Sequence, residues 1–173
     1  MNIKFKFLVF CLICVSLACS SSPKVKQQAY AKLPSSAVYE YEFPVVWKGI
    51  ESALKNHKIT ERNPEEVGPL EMKNIKERTL ETDWIYSQSG DKYHEYTINN
   101  SPRKIYLQVR YKFHILAQKT MGGTEVKVNT SEEIERLKAD GSPDGYEESS
   151  EPSPTLEHEL LEKIRLAVLS SYN

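Results

Sequence analysis

Cysteine is scarce, and most of it sits where a folded domain cannot use it. Three are present, and Cys11 and Cys14 fall within an apolar run, residues 7–17. Any chain that sheds this run keeps only Cys19. One cysteine forms no internal disulfide, so an apolar core must hold the fold. Beyond Ala18 no stretch approaches 18 consecutive apolar residues, so no segment there reads as a membrane-spanning helix. Neither sign of charge prevails, with 23 Lys and Arg against 24 Asp and Glu. Nucleic-acid binding needs a concentrated basic surface and is not expected. The four histidines, His57, His94, His114 and His158, avoid the His-Glu-x-x-His spacing and any cysteine pair, so they read as solvated side chains. Gly-x-Ser-x-Gly, phosphate-loop and dinucleotide-binding motifs are missing too. Asp83 beside Trp84 has the look of an acid in an apolar pocket, but an aspartate at a strand end is more often a turn or cap residue. No catalytic constellation emerges, and no cofactor is expected.

What is there begins with the N-terminus. Lys4 and Lys6 precede the apolar run, which stops at Ala18-Cys19-Ser20-Ser21-Ser22. A basic start, a short apolar core and a small residue before a cut point predict a secretory signal peptide over residues 1–18. The run would cover only ~16 Å as a helix, about half a bilayer's hydrocarbon core. Ser16-Leu17-Ala18-Cys19 resembles the bacterial lipobox, with Ser16 where leucine is usual. That resemblance implies a diacylglyceryl thioether on Cys19, cleavage after Ala18 and acylation of the new amine by a fatty acid such as palmitate. Ser20, rather than aspartate, implies retention at the outer membrane with the domain in the periplasm. An ordinary cleaved signal, with Cys19 an unmodified thiol, is the plainer alternative. Cleavage would leave 21 basic residues against 24 acidic, a net charge near −3.

Residues 19–36 read as the lipidated cysteine and a flexible tether, polar and punctuated by Pro23 and Pro34. Extended, residues 20–36 would reach about 55 Å. Residues 37–173 suit one domain. Tyr39, Tyr41 and Phe43 alternate with Glu40 and Glu42, which predicts a half-buried strand. Pro44 then opens a helix whose stripe is Val46, Trp47, Ile50, Ala53 and Leu54, weakened by Gly49 by up to ~1 kcal/mol. A short strand is expected over 58–62, a turn over 63–69, one strand over 80–86 and a loop over 90–103. Across 104–118 the pattern is clearest: Ile105, Leu107, Val109, Tyr111, Phe113, Ile115 and Ala117 alternate with Tyr106, Gln108, Arg110, Lys112 and His114. A long strand follows, expected to bend. Met121-Gly122-Gly123 turns it back into a strand over 124–130. Residues 131–154, with eight carboxylates against Arg136 and Lys138, read as partly helical and mostly loop. Ser153-Pro154 opens a last helix with Leu156, Leu160, Leu161, Ile164, Ala167 and Val168 on one face. The predicted fold is α+β, a curved antiparallel sheet packed against two helices.

Within the acidic stretch, Asp140, Ser142, Asp144, Tyr146, Glu148 and Glu151 stand at positions 1, 3, 5, 7, 9 and 12 of a calcium-loop spacing, with Gly145 at 6. Glu147, Pro143 and Pro152 depart from that pattern, and a solvated loop is the commoner outcome. Arg103, Lys104, Arg110 and Lys112 read as a basic strip on the outer strand face, suited to a partner, to lipid headgroups near the anchor, or simply to solvent.

Three stretches carry a family likeness. An aromatic strand runs through Pro44 into the helix with Trp47 and Leu54; Leu80-Glu81-Thr82-Asp83-Trp84 follows; Pro154-Thr155-Leu156-Glu157-His158-Glu159-Leu160-Leu161 opens the last helix. In this order, after a lipobox, they resemble the helix-grip domain of the BamC (NlpB) lipoproteins, accessories of the outer-membrane β-barrel assembly machine. Arg78 and Thr79 stand where that family usually has glycine, and only one such domain fits here. The resemblance implies a non-enzymatic outer-membrane lipoprotein with a protein-interaction domain, accessory to outer-membrane protein assembly. The alternative is a lipoprotein binding a small hydrophobic ligand in a cavity between sheet and helices.

Overall fold

The computed structural model describes residues 24–31, 33–138 and 140–171, so Cys19 and the signal segment lie outside the described residues. In chain order the elements are β1 Lys26–Gln27, β2 Ser36–Tyr39, α1 Phe43–Ala53, β3 Ile59–Asn63, α2 Pro69–Met72, β4 Glu77–Thr82, β5 Ile85–Ile98, β6 Ser101–Thr120, β7 Gly123–Leu137, β8 Pro143–Glu148 and α3 Pro154–Ser170. The eight strands form one curled antiparallel sheet. β6 is its spine. One edge of β6 pairs with β4 and β5 in succession, the other with β7, whose far edge takes β2 and β8.

Alternation along β6 explains which face is covered. Leu107, Val109, Phe113, Ile115 and Ala117 are buried, as are Val126 and Val128 opposite them on β7. Onto this face α1 brings Phe43, Val46, Trp47 and Ile50, and α3 brings Leu160, Leu161, Ile164 and Val168. Burying a side chain of this kind contributes roughly 1.5–3 kcal/mol. Gly49 marks where the helices meet. A methyl there would lie 2.5 Å from Val168 Cγ2, so the residue that lowers helix propensity is the one that permits the contact. Gly123, at φ +130°, is required as well: a Cβ would sit 2.1 Å from the Tyr39 carbonyl oxygen.

Several expectations need correction. Residues 90–103 are not a loop; they form the end of a long hairpin closed by Asn99 and Asn100, at φ 50° and 61°. Two-residue hairpin turns that match strand twist need positive φ at both positions, and asparagine tolerates it. The polar composition there reflects a ribbon running past the helices. Residues 131–137 continue β7 rather than turning helical, and 143–148 form β8. The alternation of Val126 and Val128 runs on through Thr130, Glu132 and Ile134, all buried. The expected strand over 80–86 is broken at Asp83 and Trp84. Glu81 faces His114 and Ile85 faces Tyr111, so β4–β5 carries one extra residue, a bulge. The strand expected to run through Phe43 ends at Tyr39 as β2, though Tyr39 and Phe43 both reach the core. Part of the expected tether is also ordered, because Lys26 and Gln27 pair with Tyr93 and Lys92 of β5.

Candidate functional site

The face of the sheet away from the helices carries an aromatic and cationic cluster, and the bulge builds it. Thr82 is fully buried, and its Oγ1 accepts the Phe113 N–H at 3.0 Å, replacing the ladder bond that the extra residue interrupts. Asp83 Oδ1 accepts the Trp84 N–H at 2.8 Å, while Oδ2 pairs with Lys58 Nζ at 2.9 Å. Lys58, then the Trp84 amide, hold this carboxyl below its ordinary pKa. The aspartate is thus a turn residue rather than an acid in a pocket. Past the bulge, Trp84 and Tyr86 turn outward.

Arg110 occupies the centre. Its guanidinium carbon lies 4.6 Å from the Trp84 ring centroid and 4.7 Å from that of Tyr146, and Nε donates to Glu133 Oε2 at 2.7 Å. Tyr86 meets the Tyr146 ring edge-on at 6.1 Å and is itself 63% exposed. The hydrogen bond with Tyr86, then the pairing with Glu133, favour the charged guanidinium. Lys112 Nζ sits 5.1 Å from the Trp84 ring and donates to Glu81 Oε1 at 2.9 Å. His114 Nδ1 approaches the other Glu81 oxygen at 3.0 Å. Lys112 first, with help from His114, holds the Glu81 carboxyl below its ordinary range. Farther along the same face Lys104 Nζ lies 4.1 Å above the Tyr93 ring, which meets Tyr106 edge-on.

Of the four basic residues expected on one strip, Lys104, Arg110 and Lys112 do share the outer face. Arg103 does not: it pairs in register with Tyr96 on the opposite face of the hairpin. Chemically the cluster offers flat aromatic faces around cations already held by carboxylates. It is suited to binding, since such rings and arginines exclude water around charged contacts with little side-chain entropy left to lose.

The calcium spacing is not realised as a wrapped loop. β8 extends residues 143–148, so alternate side chains stand ~7 Å apart along the strand, whereas a calcium loop converges its oxygens to within ~2.6 Å of one point. Asp140 Oδ1 accepts from Ser142 N and Oγ at 2.9 and 2.6 Å, and Asp144 Oδ2 pairs with Arg136 at 2.9 Å. Tyr146 belongs to the arginine cluster, Glu148 faces Glu133, and the Glu151 carbonyl accepts from Ser149 Oγ at 2.9 Å. Among the described residues no three His, Cys, Asp or Glu side chains gather to hold an ion. Between sheet and helices, Phe43, Trp47, Ile50, Phe113, Ile115 and Ile164 pack together in the core. Open hollows lie elsewhere, such as one of about 390 Å³ bordered by Val25, His94 and Glu135.

Sequence reasoning missed a buried polar network. Lys92 (3% exposed) donates to Glu132 (2%) at 2.9 and 3.1 Å and lies 3.5 Å from Asp91 (1%). Asp91 accepts from Ser89 Oγ at 2.8 Å and Gln27 Nε2 at 2.9 Å; Glu132 Oε2 accepts the Ser153 N–H at 2.6 Å. A second irregularity in β5, between Gln88 and Tyr93, turns these groups inward. The inward parity of Glu132 was the available signal. Arg78, in the position where the likeness has glycine, is buried with its guanidinium 4.5 Å from the Trp47 ring centroid and donates to the carbonyls of Pro64 and Glu65.

No protein-family model matches the chain, and no curated protein matches its sequence.

Proposed function

We propose that this chain is a non-enzymatic bacterial outer-membrane lipoprotein, held by an acylated Cys19, whose periplasmic domain binds another envelope protein. The partner class implied by the resemblance to the BamC lipoproteins is the outer-membrane β-barrel assembly machinery, and a helix-grip fold goes with it. A curled sheet gripping two long helices is consistent with that fold and supports it. The observation that carries the binding reading is the Trp84–Arg110–Tyr146 stack on the sheet face away from the described helices. Tryptophan, tyrosine and arginine dominate the energetics of protein interfaces, and here the bulge and Glu133 preorganise them. Anchoring confines the domain to a layer at the membrane and raises its effective concentration toward partners there.

The test pairs labelling with capture. Cells fed a radiolabelled palmitate should label the wild-type protein and leave Cys19→Ser unlabelled. Crosslinking followed by purification should recover assembly components, and the Trp84→Ala/Arg110→Ala pair should lower that yield roughly tenfold or more. An unlabelled wild type, or equal capture by the double variant, would reject the reading.

A further inference from the structure

We propose that the free end of the β5–β6 hairpin is a membrane-contact ribbon, lying in the headgroup layer of an anionic leaflet beside the lipid on Cys19. This rests on the lipoprotein reading above and adds a lipid-binding surface to it. Register gives the ribbon two unlike faces. His94 faces Ile105, Tyr96 faces Arg103 and Ile98 faces Ser101, so Tyr96, Ile98 and Ile105 share one side. They are 39, 52 and 53% exposed, because the covered part of β6 begins only at Leu107. The other side carries Glu95 opposite Lys104.

The N-terminal segment names the occupant. β1 lies along β5, and the Lys24 carbonyl is 3.3 Å from His94 Nδ1, at the base of the ribbon. Cys19 is five residues before Lys24, a separation of at most ~18 Å. From His94 to the turn at Asn99 the ribbon extends ~17 Å. An anchor on so short a lead keeps the apolar face within a ribbon's length of the bilayer. Charge points the same way: Lys26, which pairs with Glu95, and Lys104 flank that carboxylate on one face, and Arg103 adds a cation beside Tyr96 on the other, in a chain whose net charge is −1. Anionic lipid attracts that cluster, and tyrosine with isoleucine suits the headgroup boundary. A two-stranded ribbon has unpaired edge groups, so it lies in the interface rather than entering the hydrocarbon.

The full lipidated chain, reconstituted in phosphatidylethanolamine–phosphatidylglycerol vesicles, tests this with a nitroxide on Ile98→Cys and, separately, on Met121→Cys. Met121 is fully exposed at the opposite end of β6, and an acylated Cys19 offers no competing thiol. The expected result is flotation with the vesicles and a ratio of oxygen to nickel-complex accessibility several-fold higher at Ile98 than at Met121. Adding Arg103→Gln and Lys104→Gln should bring the Ile98 ratio toward that of Met121. Flotation with an aqueous Ile98 label overturns the ribbon and leaves the anchor standing. A label shielded from both reagents only at high protein density assigns the face to a second copy, which also overturns it. Failure to float, with a free thiol at Cys19, rejects the anchor and the ribbon together.

Discussion

Tyr39 shows how one side chain ties the layers together. Its ring is buried in the core, and its hydroxyl donates to the Leu161 carbonyl at 2.9 Å, linking β2 to α3. Burial disfavours the phenolate and, with Glu162 nearby, pushes the pKa from 10.0 up to about 12. The folded state therefore holds this proton more tightly than the unfolded chain. Its stabilisation is complete below pH 10 and disappears as pH rises from 10 to about 12, at up to ~1.4 kcal/mol per pH unit. Urea unfolding between pH 9 and 12 should show wild type losing stability faster than Tyr39→Phe, which has no proton to lose; parallel curves would count against the assignment. Gly49 makes a related point at the same scale, since its missing side chain matters for what it leaves room for.

Among elements, the β4–β5 bulge has the largest consequence. One extra residue moves Trp84 and Tyr86 to the outer face while leaving Leu80 and Thr82 on the inner one. Thr82 makes this tolerable by accepting the Phe113 N–H, which is buried and would otherwise lack a partner. Thr82→Val preserves shape and removes the acceptor, so a loss of about 1–3 kcal/mol is expected in equilibrium urea unfolding with an unchanged m value. Thr82→Ser keeps the oxygen and should lose less. If valine and serine behave alike, packing rather than the hydrogen bond holds the bulge. Because Trp84 depends on that geometry, the valine variant should also loosen the Arg110 stack, visible as increased quenching of tryptophan fluorescence by acrylamide.

For the molecule as a whole, the buried Lys92 network joins segments far apart in the chain. Through Gln27, Asp91, Glu132 and Ser153 it binds β1, β5, β7 and the start of α3 at one point. Lys92→Met would strand two carboxylates away from water, at about 3–5 kcal/mol, a large share of a domain's usual 5–15 kcal/mol. Calorimetric melting should register the loss, and adding Glu132→Leu should recover part of it. Hydrogen exchange should quicken at Gln28, whose N–H donates to the Asp91 carbonyl, because β1 loses its attachment. An exchange rate unchanged in Lys92→Met would mean that β1 is held independently of the network.

Periodicity made both long helices, the β6–β7 hairpin and the α+β class legible, since alternation and helical stripes state directly which residues must leave water. Pro44, Pro154 and the Met121-Gly122-Gly123 turn were readable because their backbone chemistry is local. Less legible were the strand ends over 90–103 and 131–148, where the ribbon beyond the helices mixes Tyr96 and Ile98 with His94, Ser101 and Arg103 on one face, and β8 is an outer strand of mostly polar, exposed residues. The Trp84 cluster and the Lys92 network were out of reach for another reason. Each depends on a one- or several-residue slip in register, and a slip is decided by what the partner strand and the helices can accept. Chain order alone says which residues prefer burial; only the packed sheet and helices decide which polar groups are carried in with them and which aromatics are turned out.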